Sequence, residues 1–327
     1  RLVARLLDAP LPAPEARILA EGRIAGLALL GQNANWLADH SYQQADLGLR
    51  HGENRAFFGG ADFASVRIDT GSNVDYKGYT VVAGEAVKRE KEDQSLLIGG
   101  FFEGGYGEYD VHGKFGHPSH PNMKGEGTMN YYGIGLMVRQ RWDKGFRLEG
   151  SLRGGRQENR FRSRDLDDVD GEFAKYKLDV PWFGAHLGAG YEWQADEHNG
   201  FDTFLRYYWV RQNGKTVHLN KGRERVRFMD DNSHRLRAGG RYTRTKDVHS
   251  AWYLGLAYEY EFDHRAHARS IDGEIDVPDP RGSSFVGEIG MVLHPKDHDR
   301  FSIEFGLQGY AGKREGVSGG ARLGWKF

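Results

Sequence analysis

The chain has no cysteine, few prolines and no long apolar run, and each absence excludes a class of protein. Because its 327 residues include no Cys, disulfide scaffolds, cysteine-based zinc sites, thiolate catalysis and iron–sulfur clusters are excluded. Only 9 prolines accompany 46 glycines, which argues against a Pro/Gly-rich disordered tract. The longest helix-like apolar stretch, residues 24–30, is far shorter than the roughly 20 residues that a membrane-spanning helix needs.

An excess of charge of one sign is missing as well. The 45 basic and 46 acidic side chains leave a formal net charge of −1. A nucleic-acid binder that relies on a strong overall positive field is therefore excluded. The chain opens on Arg1-Leu-Val-Ala-Arg, without initiator Met and without the layout of a secretory signal. We therefore expect a mature or excised C-terminal fragment.

A helix is predicted over residues 14–40. Pro14 suits the first turn of a helix, where its missing N–H costs nothing. Apolar residues such as Ile18 recur at helical spacing, while Gly22 and Gly26 lie four residues apart and let another surface approach closely. A helix of about 24 residues is roughly 36 Å long, which is about the height of a membrane.

In the rest of the chain, apolar residues recur at every second position. Within residues 131–142, Ile134 and Leu136 lie on one face and Gly133 and Gly135 on the other. This alternation is typical of half-buried strands, and many of the runs are long for a soluble sheet. Twelve strands are predicted, near residues 55–67, 77–90, 95–110, 127–142, 145–160, 177–195, 199–213, 223–246, 248–263, 283–295, 299–311 and 315–327.

The connectors between these runs alternate between short and long. Short connectors are predicted at 91–94, 143–144, 196–198, about 247 and 296–298, and long ones at 68–76, 111–126, 161–176, 214–222 and 264–282. The last connector, 312–314, is predicted to be short again. A soluble sandwich of long strands has no reason to alternate in this way, whereas a membrane barrel has short turns on one side and long loops on the other. A large soluble β-sandwich or a lipocalin-like barrel is the alternative. The fold predicted is thus an all-β transmembrane, 12-stranded antiparallel barrel with the helix in its pore. The predicted parts are a leader at 1–13, the pore helix at 14–40, a connector at 41–54 and the barrel at 55–327.

The two faces of the strands then have different environments. The apolar face looks outward at lipid, with aromatic girdles where the chain crosses the interface. The predicted girdle residues are Trp142, Trp182, Trp193, Trp252 and Trp325. The polar face lines the lumen, where its charges either grip the helix, conduct ions or simply pair with one another in water. The predicted lumen-lining residues are Glu103, Gly133, Gly135, Arg139, Arg141, Glu149, Arg153, Arg206, Arg237, Arg241, Glu259, Glu261, Glu288 and Glu304.

A helix that leads into twelve strands, in a chain ending Ala321-Arg-Leu-Gly-Trp-Lys-Phe327, resembles the C-terminal translocator domain of autotransporters. The resemblance covers residues 14–327 and implies an outer-membrane barrel of a Gram-negative bacterium, working in type V secretion. It implies a helix that joins the barrel to an N-terminal passenger, which is exported to the cell surface. Leu323, Trp325 and Phe327 match the signal that the barrel-assembly machinery reads in this family, although Arg322 stands where a glycine is usual.

The resemblance also implies the partners. These are outer-membrane lipids, the barrel-assembly machinery and the chain's own missing passenger. Nucleic acid is not expected as a partner, the domain is expected to be a monomer, and no cofactor or metal is predicted.

Three alternatives stay open. Some autotransporters cut their own linker by cyclisation of an asparagine, but the adjacent pair of asparagines that they use is absent here, since Ala34 separates Asn33 from Asn35. The second is a barrel hydrolase, for which the nearest candidates are Ser119 with His117 and His120, and Ser233 with His234. The third is a small channel for anionic solutes, which the arginine-rich strands favour. We expect no catalytic residue and no enzymatic activity.

Overall fold

The computed structural model describes residues 14–48, 55–114, 122–167, 172–221, 224–264, 266–270, 273–275, 278–295 and 300–326. The predicted leader, and Phe327 of the predicted assembly signal, lie outside these residues. No helix within them is both long enough and apolar enough to span a bilayer.

One helical segment precedes the strands. It begins with a 3-10 turn at Pro14–Arg17, continues as α1 (Ile18–Trp36) and a π-helical turn (Leu37–Ser41), and ends with α2 (Tyr42–Gly48). Helical structure therefore extends into the stretch predicted as a connector.

Sixteen strands follow within the described residues. They are β1 (Arg55–Asp69), β2 (Asn73–Lys91), β3 (Gln94–Lys114), β4 (Asn122–Trp142), β5 (Phe146–Asp167), β6 (Phe173–Gln194), β7 (Asn199–Gln212), β8 (Lys215–His218), β9 (Arg225–Phe228), β10 (Asp231–Asp247), β11 (Ser250–Asp263), β12 (Ala268–Ser270), β13 (Gly273–Ile275), β14 (Gly282–Leu293), β15 (Phe301–Gly312) and β16 (Arg314–Lys326).

Twelve of these strands form a closed antiparallel barrel. The order around it is β1-β16-β15-β14-β11-β10-β7-β6-β5-β4-β3-β2. The last strand pairs with the first, from Ala56 opposite Lys326 to Ile68 opposite Arg314, so the barrel sheet has no free edge. The predicted fold class is confirmed.

The four remaining strands form a separate small sheet, the cap sheet, in the order β13-β12-β9-β8. They come from the connectors β7–β10 and β11–β14, and three of them, β8, β12 and β13, lie where the sequence predicted polar loops. The run predicted at 223–246 is accordingly divided between β9 in the cap sheet and β10 in the barrel. Buried Val217 and Phe228 of the cap sheet belong to the same apolar cluster as Ile18 of the helix. The cap sheet thus lies over the start of the helix.

The barrel has two unlike ends. The turn rim carries the turns at 92–93, 143–145, 195–198 and 248–249, and β14 ends there as well. The loop rim carries the turn at 70–72 and Lys313, and β3, β5, β7 and β11 also end there. The prediction of a long connector at 68–76 is wrong, because β1 and β2 continue to a tight turn at residues 70–72 in which Gly71 has φ +86°.

An apolar belt surrounds the barrel on the outside. On β4, Tyr132, Ile134 and Leu136 expose 63%, 62% and 65% of their surface. From Tyr132 to Trp142 a strand advances about 33 Å, or about 25 Å along the barrel axis at a tilt near 40°. That height matches the outward apolar band of membrane barrels.

The girdle prediction is wrong for one residue. Trp182 is fully buried inside the barrel, where its ring makes an edge contact with Tyr131 at a centroid distance of 5.7 Å. It lies on the inward face of β6, in line with buried Leu178 and Val180. Trp193, Trp252 and Trp325 are exposed on the outer surface.

Candidate functional site in the barrel lumen

The helix α1 is enclosed by the barrel. All of its 19 residues except Ala28 are buried, including the charged Glu21 and Arg23. A buried charge is tolerated only with partners that replace water. The partners of the helix are therefore the clearest description of this site.

Near the loop rim, Arg23 is the main anchor of the helix. Its guanidinium is ion-paired with Asp231 at the start of β10. It also donates to the backbone carbonyls of Asn213 and Met229, each at 3.1 Å. Arg23 thus bonds to both ends of the connector between β7 and β10, which contains β8 and β9.

Glu21 is the acidic counterpart of Arg23. Its carboxylate accepts a hydrogen bond of 2.8 Å from the Thr70 hydroxyl in the β1–β2 turn. It lies 3.3 Å from the Arg17 guanidinium, one helical turn earlier. The loop-rim end of the helix is therefore tied to two different connectors.

Along its middle, the helix is held by its backbone. A row of barrel side chains donates to successive helix carbonyls, and we call it the donor ladder. Its four bonds run from Tyr176 to Leu19 (2.7 Å), Asn159 to Gly22 (2.6 Å), Gln157 to Gly26 (2.9 Å) and Arg153 to Leu30 (2.6 Å).

The two helix glycines make these approaches possible. A Cβ placed on Gly26 would lie 2.6 Å from Gln212 Nε2, and one on Gly22 would collide with the hydroxyl of Tyr109. A Cβ at either position would therefore force these neighbouring side chains to move, which agrees with the close approach that the spacing suggested.

Below the ladder, the two asparagines have different partners. The Asn33 amide donates to Glu103, whose carboxylate is also 2.9 Å from Arg153. Asn35 accepts a 2.7 Å hydrogen bond from Arg235. The sequence indicated no partner for either residue, because these contacts join positions far apart in the chain.

The strongest cluster of charges surrounds Asp39, in the π-helical turn. Its carboxylate is ion-paired with Arg206 and lies 2.9 Å from Arg237, and Gln308 donates to it at 3.1 Å. Arg206 also donates to Glu149 at 2.7 Å. We call these five residues the Asp39 cluster. Sequence reasoning missed Asp39, although a carboxylate inside a largely apolar helix was a usable signal.

Just after Asp39 in the chain, His40 and Gln44 both contact Glu304 on β15. His40 Nδ1 lies 2.7 Å from Glu304 Oε1, and Gln44 donates to the same carboxylate at 2.6 Å. Arg322 points into the lumen, 3.5 Å from Asp62 and 3.7 Å from Glu304. These ion pairs give a physical reason for an arginine at the position where the family usually has glycine.

The structure places every predicted lumen residue on the inward face. Arg241 lies 2.6 Å from Glu288, and Arg235 lies 3.2 Å from Glu259. Arg141 is at the turn rim with Glu192, and Glu261 accepts from Ser233. Further lumen residues that were not predicted, all with inward side chains, are Asp62, Gln157, Asn159, Tyr176, Asp231 and Gln308.

Two of the predicted lumen glycines have a different role from the one expected. A Cβ on Gly133 would lie 2.7 Å from the Trp182 ring, and one on Gly135 would collide with Phe101. These glycines make room for aromatic rings of the barrel wall. The close contact between helix and wall occurs instead at Gly22 and Gly26 of the helix itself.

The candidate hydrolase pair does not assemble. Ser233 donates to Glu261 at 2.9 Å, whereas His234 lies 2.6 Å from the Tyr207 hydroxyl on the outer side. The residues Ser119, His117 and His120 lie outside the described part of the chain. A different pair, Ser151 and His186, meets at 2.7 Å, but Tyr42 and Tyr208 cover the imidazole inside the filled lumen.

One group of possible metal ligands occurs within the described residues. Donor atoms of Asp39, His40 and Glu288 lie within 4.8 Å of one another. Each of the two carboxylates is already paired with arginine, so a cation placed there would meet guanidinium groups. This arrangement does not suit a metal ion.

We expect Asp39→Asn to lower the free energy of unfolding by about 3–5 kcal/mol, because Arg206 and Arg237 would remain buried beside a neutral side chain. Denaturant unfolding of the refolded barrel measures this change. The control is Asp75→Asn, which removes an exposed ion pair with Arg67 and should change stability little. Equal effects of the two substitutions would contradict the role given to Asp39.

The fold has solved relatives. The beta domain of the Bordetella autotransporter BrkA superimposes with a TM-score of 0.66 at 14% identity, covering 84% of this chain and 100% of that one. The translocator domain of NalP from Neisseria meningitidis gives 0.67 at 11% identity, covering 91% and 97%. The transport unit of AIDA-I from Escherichia coli gives 0.56 at 14% identity, covering 87% and 97%. These likenesses show the fold.

Among curated proteins, no sequence matches the chain significantly. The family model described as "Autotransporter beta-domain" matches residues 56–314, which include most of the barrel. The chain therefore belongs to the autotransporter beta-domain family.

Proposed function

We propose that this domain is an outer-membrane translocator that anchors and exports a passenger attached before the helix. The passenger would pass through the barrel and emerge at the loop rim. The helix would stay behind in the lumen as tether and plug. The domain itself carries out transport, and no chemistry is assigned to it.

The direction of the helix is the observation that carries this proposal. Arg23, near its start, is bonded to loop-rim groups, while His40 and Gln44, near its end, lie beside Glu304. The chain therefore runs from the loop rim down to the turn rim before β1 begins at Arg55. Any segment joined before Pro14 would leave the barrel on the loop-rim side.

The filled lumen argues against a channel for anionic solutes. The arginines that favoured a channel in the sequence are paired with carboxylates, as Arg206 is with Glu149 and Arg241 with Glu288. An arginine that is already ion-paired attracts a passing anion only weakly. The helix also occupies the volume through which a solute would move.

We expect an epitope fused before Arg1 to reach the cell surface when the domain is produced with a secretion signal in a Gram-negative cell. Protease added to intact cells should remove it. In the matched control, the same epitope inserted in the turn at 195–198 should be protected, since this turn belongs to the opposite rim. Digestion of the turn epitope with protection of the upstream one would contradict the proposed orientation.

The same fusion also tests self-cleavage. Asn33 donates to Glu103, and the same carboxylate is ion-paired with Arg153. Cyclisation would require the Asn33 amide nitrogen to attack the Asn33 carbonyl carbon, releasing Ala34 as a new amino terminus. We expect epitope and barrel to remain one chain. A barrel whose mass begins at Ala34 would show that cleavage occurs.

The final strand supports the proposed assembly signal. Leu323 and Trp325 project outward from β16, and the Trp325 ring stacks on Phe301 at 5.6 Å with an interplanar angle of 11°.

We expect Phe327→Glu to reduce the amount of heat-modifiable folded barrel in outer membranes, because a charge would replace the terminal aromatic anchor of the apolar face. Quantitative gel analysis of membrane fractions measures the effect. Phe327→Tyr, which keeps the ring, should assemble normally. Undiminished assembly of the glutamate variant would remove this residue from the signal.

A further inference from the structure

Four cations lie side by side on the outer surface near the loop rim. In the β5–β6 pairing, Arg160 is directly opposite Lys177 and Arg162 directly opposite Lys175. All four side chains are exposed on the outward face. We call them the basic square. Like charges directly opposite in an antiparallel pair destabilise the sheet, and here two such pairs are adjacent.

Nearby carboxylates neutralise the basic square only in part. Glu158 lies 2.7 Å from Arg160 and 2.7 Å from Lys177. Glu126 on β4 lies 2.6 Å from Arg162. Within the described residues, these two carboxylates pair with three of the four cations, so the square itself holds more positive than negative charge.

A groove borders the basic square on the side of the cap sheet. Its volume is 1120 Å³, and its walls include all four cations together with Lys215 and Thr216 of β8. Lys215 donates to the carbonyl of Asp179 at 3.2 Å, which brings a fifth cation to the groove. Glu108 and Asp110 of β3 lie at the far end. The positive charges of the groove therefore lie on β5, β6 and β8, and the carboxylates of β3 lie at its other end.

The groove lies a short distance above the apolar belt, measured along the barrel axis. Tyr132, at the upper edge of the apolar belt, lies opposite Arg156, so the belt ends at that level on β5. Arg160 is four residues further along, about 13 Å on the strand or about 10 Å on the barrel axis. Long arginine and lysine side chains reach several ångströms towards a membrane interface. Arg160 and Lys177 are thus within reach of lipid headgroups, and Arg162 and Lys175 lie about 5 Å further out on the barrel axis.

We propose that this groove binds the phosphate-bearing headgroup of a lipid in the outer leaflet. Guanidinium and ammonium groups are the usual protein partners of phosphate, and an anion between the two like-charged pairs would relieve their repulsion. The ligand class is a phosphorylated saccharide on a lipid anchor: the groove would hold the headgroup while the acyl chains lie against the apolar belt below. The proposal rests on the proposed function in one respect, namely that the loop rim faces outward.

The experiment measures lipid binding to the refolded domain in detergent by native mass spectrometry. The probes are a diglucosamine lipid with two phosphates (lipid A), its dephosphorylated form, and inorganic phosphate. The variant is Arg162→Gln with Lys175→Gln, which removes one directly opposed pair. The matched control is Arg67→Gln with Lys77→Gln, which removes two exposed outward cations from β1 and β2.

We expect the diphosphorylated lipid to bind about tenfold or more tightly than the dephosphorylated one, since one or two charge-assisted hydrogen bonds have that value. The Arg162/Lys175 variant should lose about tenfold in affinity for the phosphorylated lipid, and the control should retain it. A thermal melt of each unliganded variant verifies that both are folded. This assay uses purified, refolded domain and does not involve export. A failure of secretion in cells would therefore leave its result unaffected.

Three results would overturn the proposal. Equal binding of the two lipids would show that phosphate is not recognised. Inorganic phosphate that competes as well at equal concentration would assign the groove to a soluble anion. Equal loss in the variant and the control would show a general effect of surface charge.

Discussion

The fold depends on one constraint: a helix with charged residues is enclosed in a closed barrel, so protein groups must replace water for every one of its charges. The Asp39 cluster shows how this is met, with one helix carboxylate set between Arg206 and Arg237. At the other end, Arg23 has a carboxylate and backbone carbonyls as partners. Because these partners come from different strands, the same contacts fix the position of the helix and connect distant parts of the barrel wall.

Between the two charged ends, recognition of the helix uses mostly its backbone. The side chains of the donor ladder on β5 and β6 donate to backbone carbonyl oxygens, which any residue supplies. The barrel wall comes this close to the helix at Gly22 and Gly26. Specificity for this helix therefore resides in a few charges and in two positions without side chains. Such an arrangement holds one segment in a fixed register, and it would suit the translocator proposed above.

The sequence predicted the barrel well because strand alternation is a local signal that long strands repeat many times. All twelve predicted strands correspond to barrel strands, although the run at 223–246 also contains β9. The cap sheet was missed because strands of three or four residues are too short to show a period. Trp182 was assigned outward because an aromatic near a strand end fits a girdle, whereas its direction depends on the register of β6. The partners of Asp39 and Asn33 could not be predicted, since they depend on which strands face the helix in three dimensions.

If the helix closes the lumen, single-channel conductance in planar bilayers should depend on its presence. The intact domain should conduct little, and removal of residues 1–48 should open a large, stable pore. Removal of residues 1–17 should leave the conductance low, because α1 and its charged partners remain. An intact domain that conducts as well as the barrel without residues 1–48 would show that the helix does not fill the pore and would contradict the account.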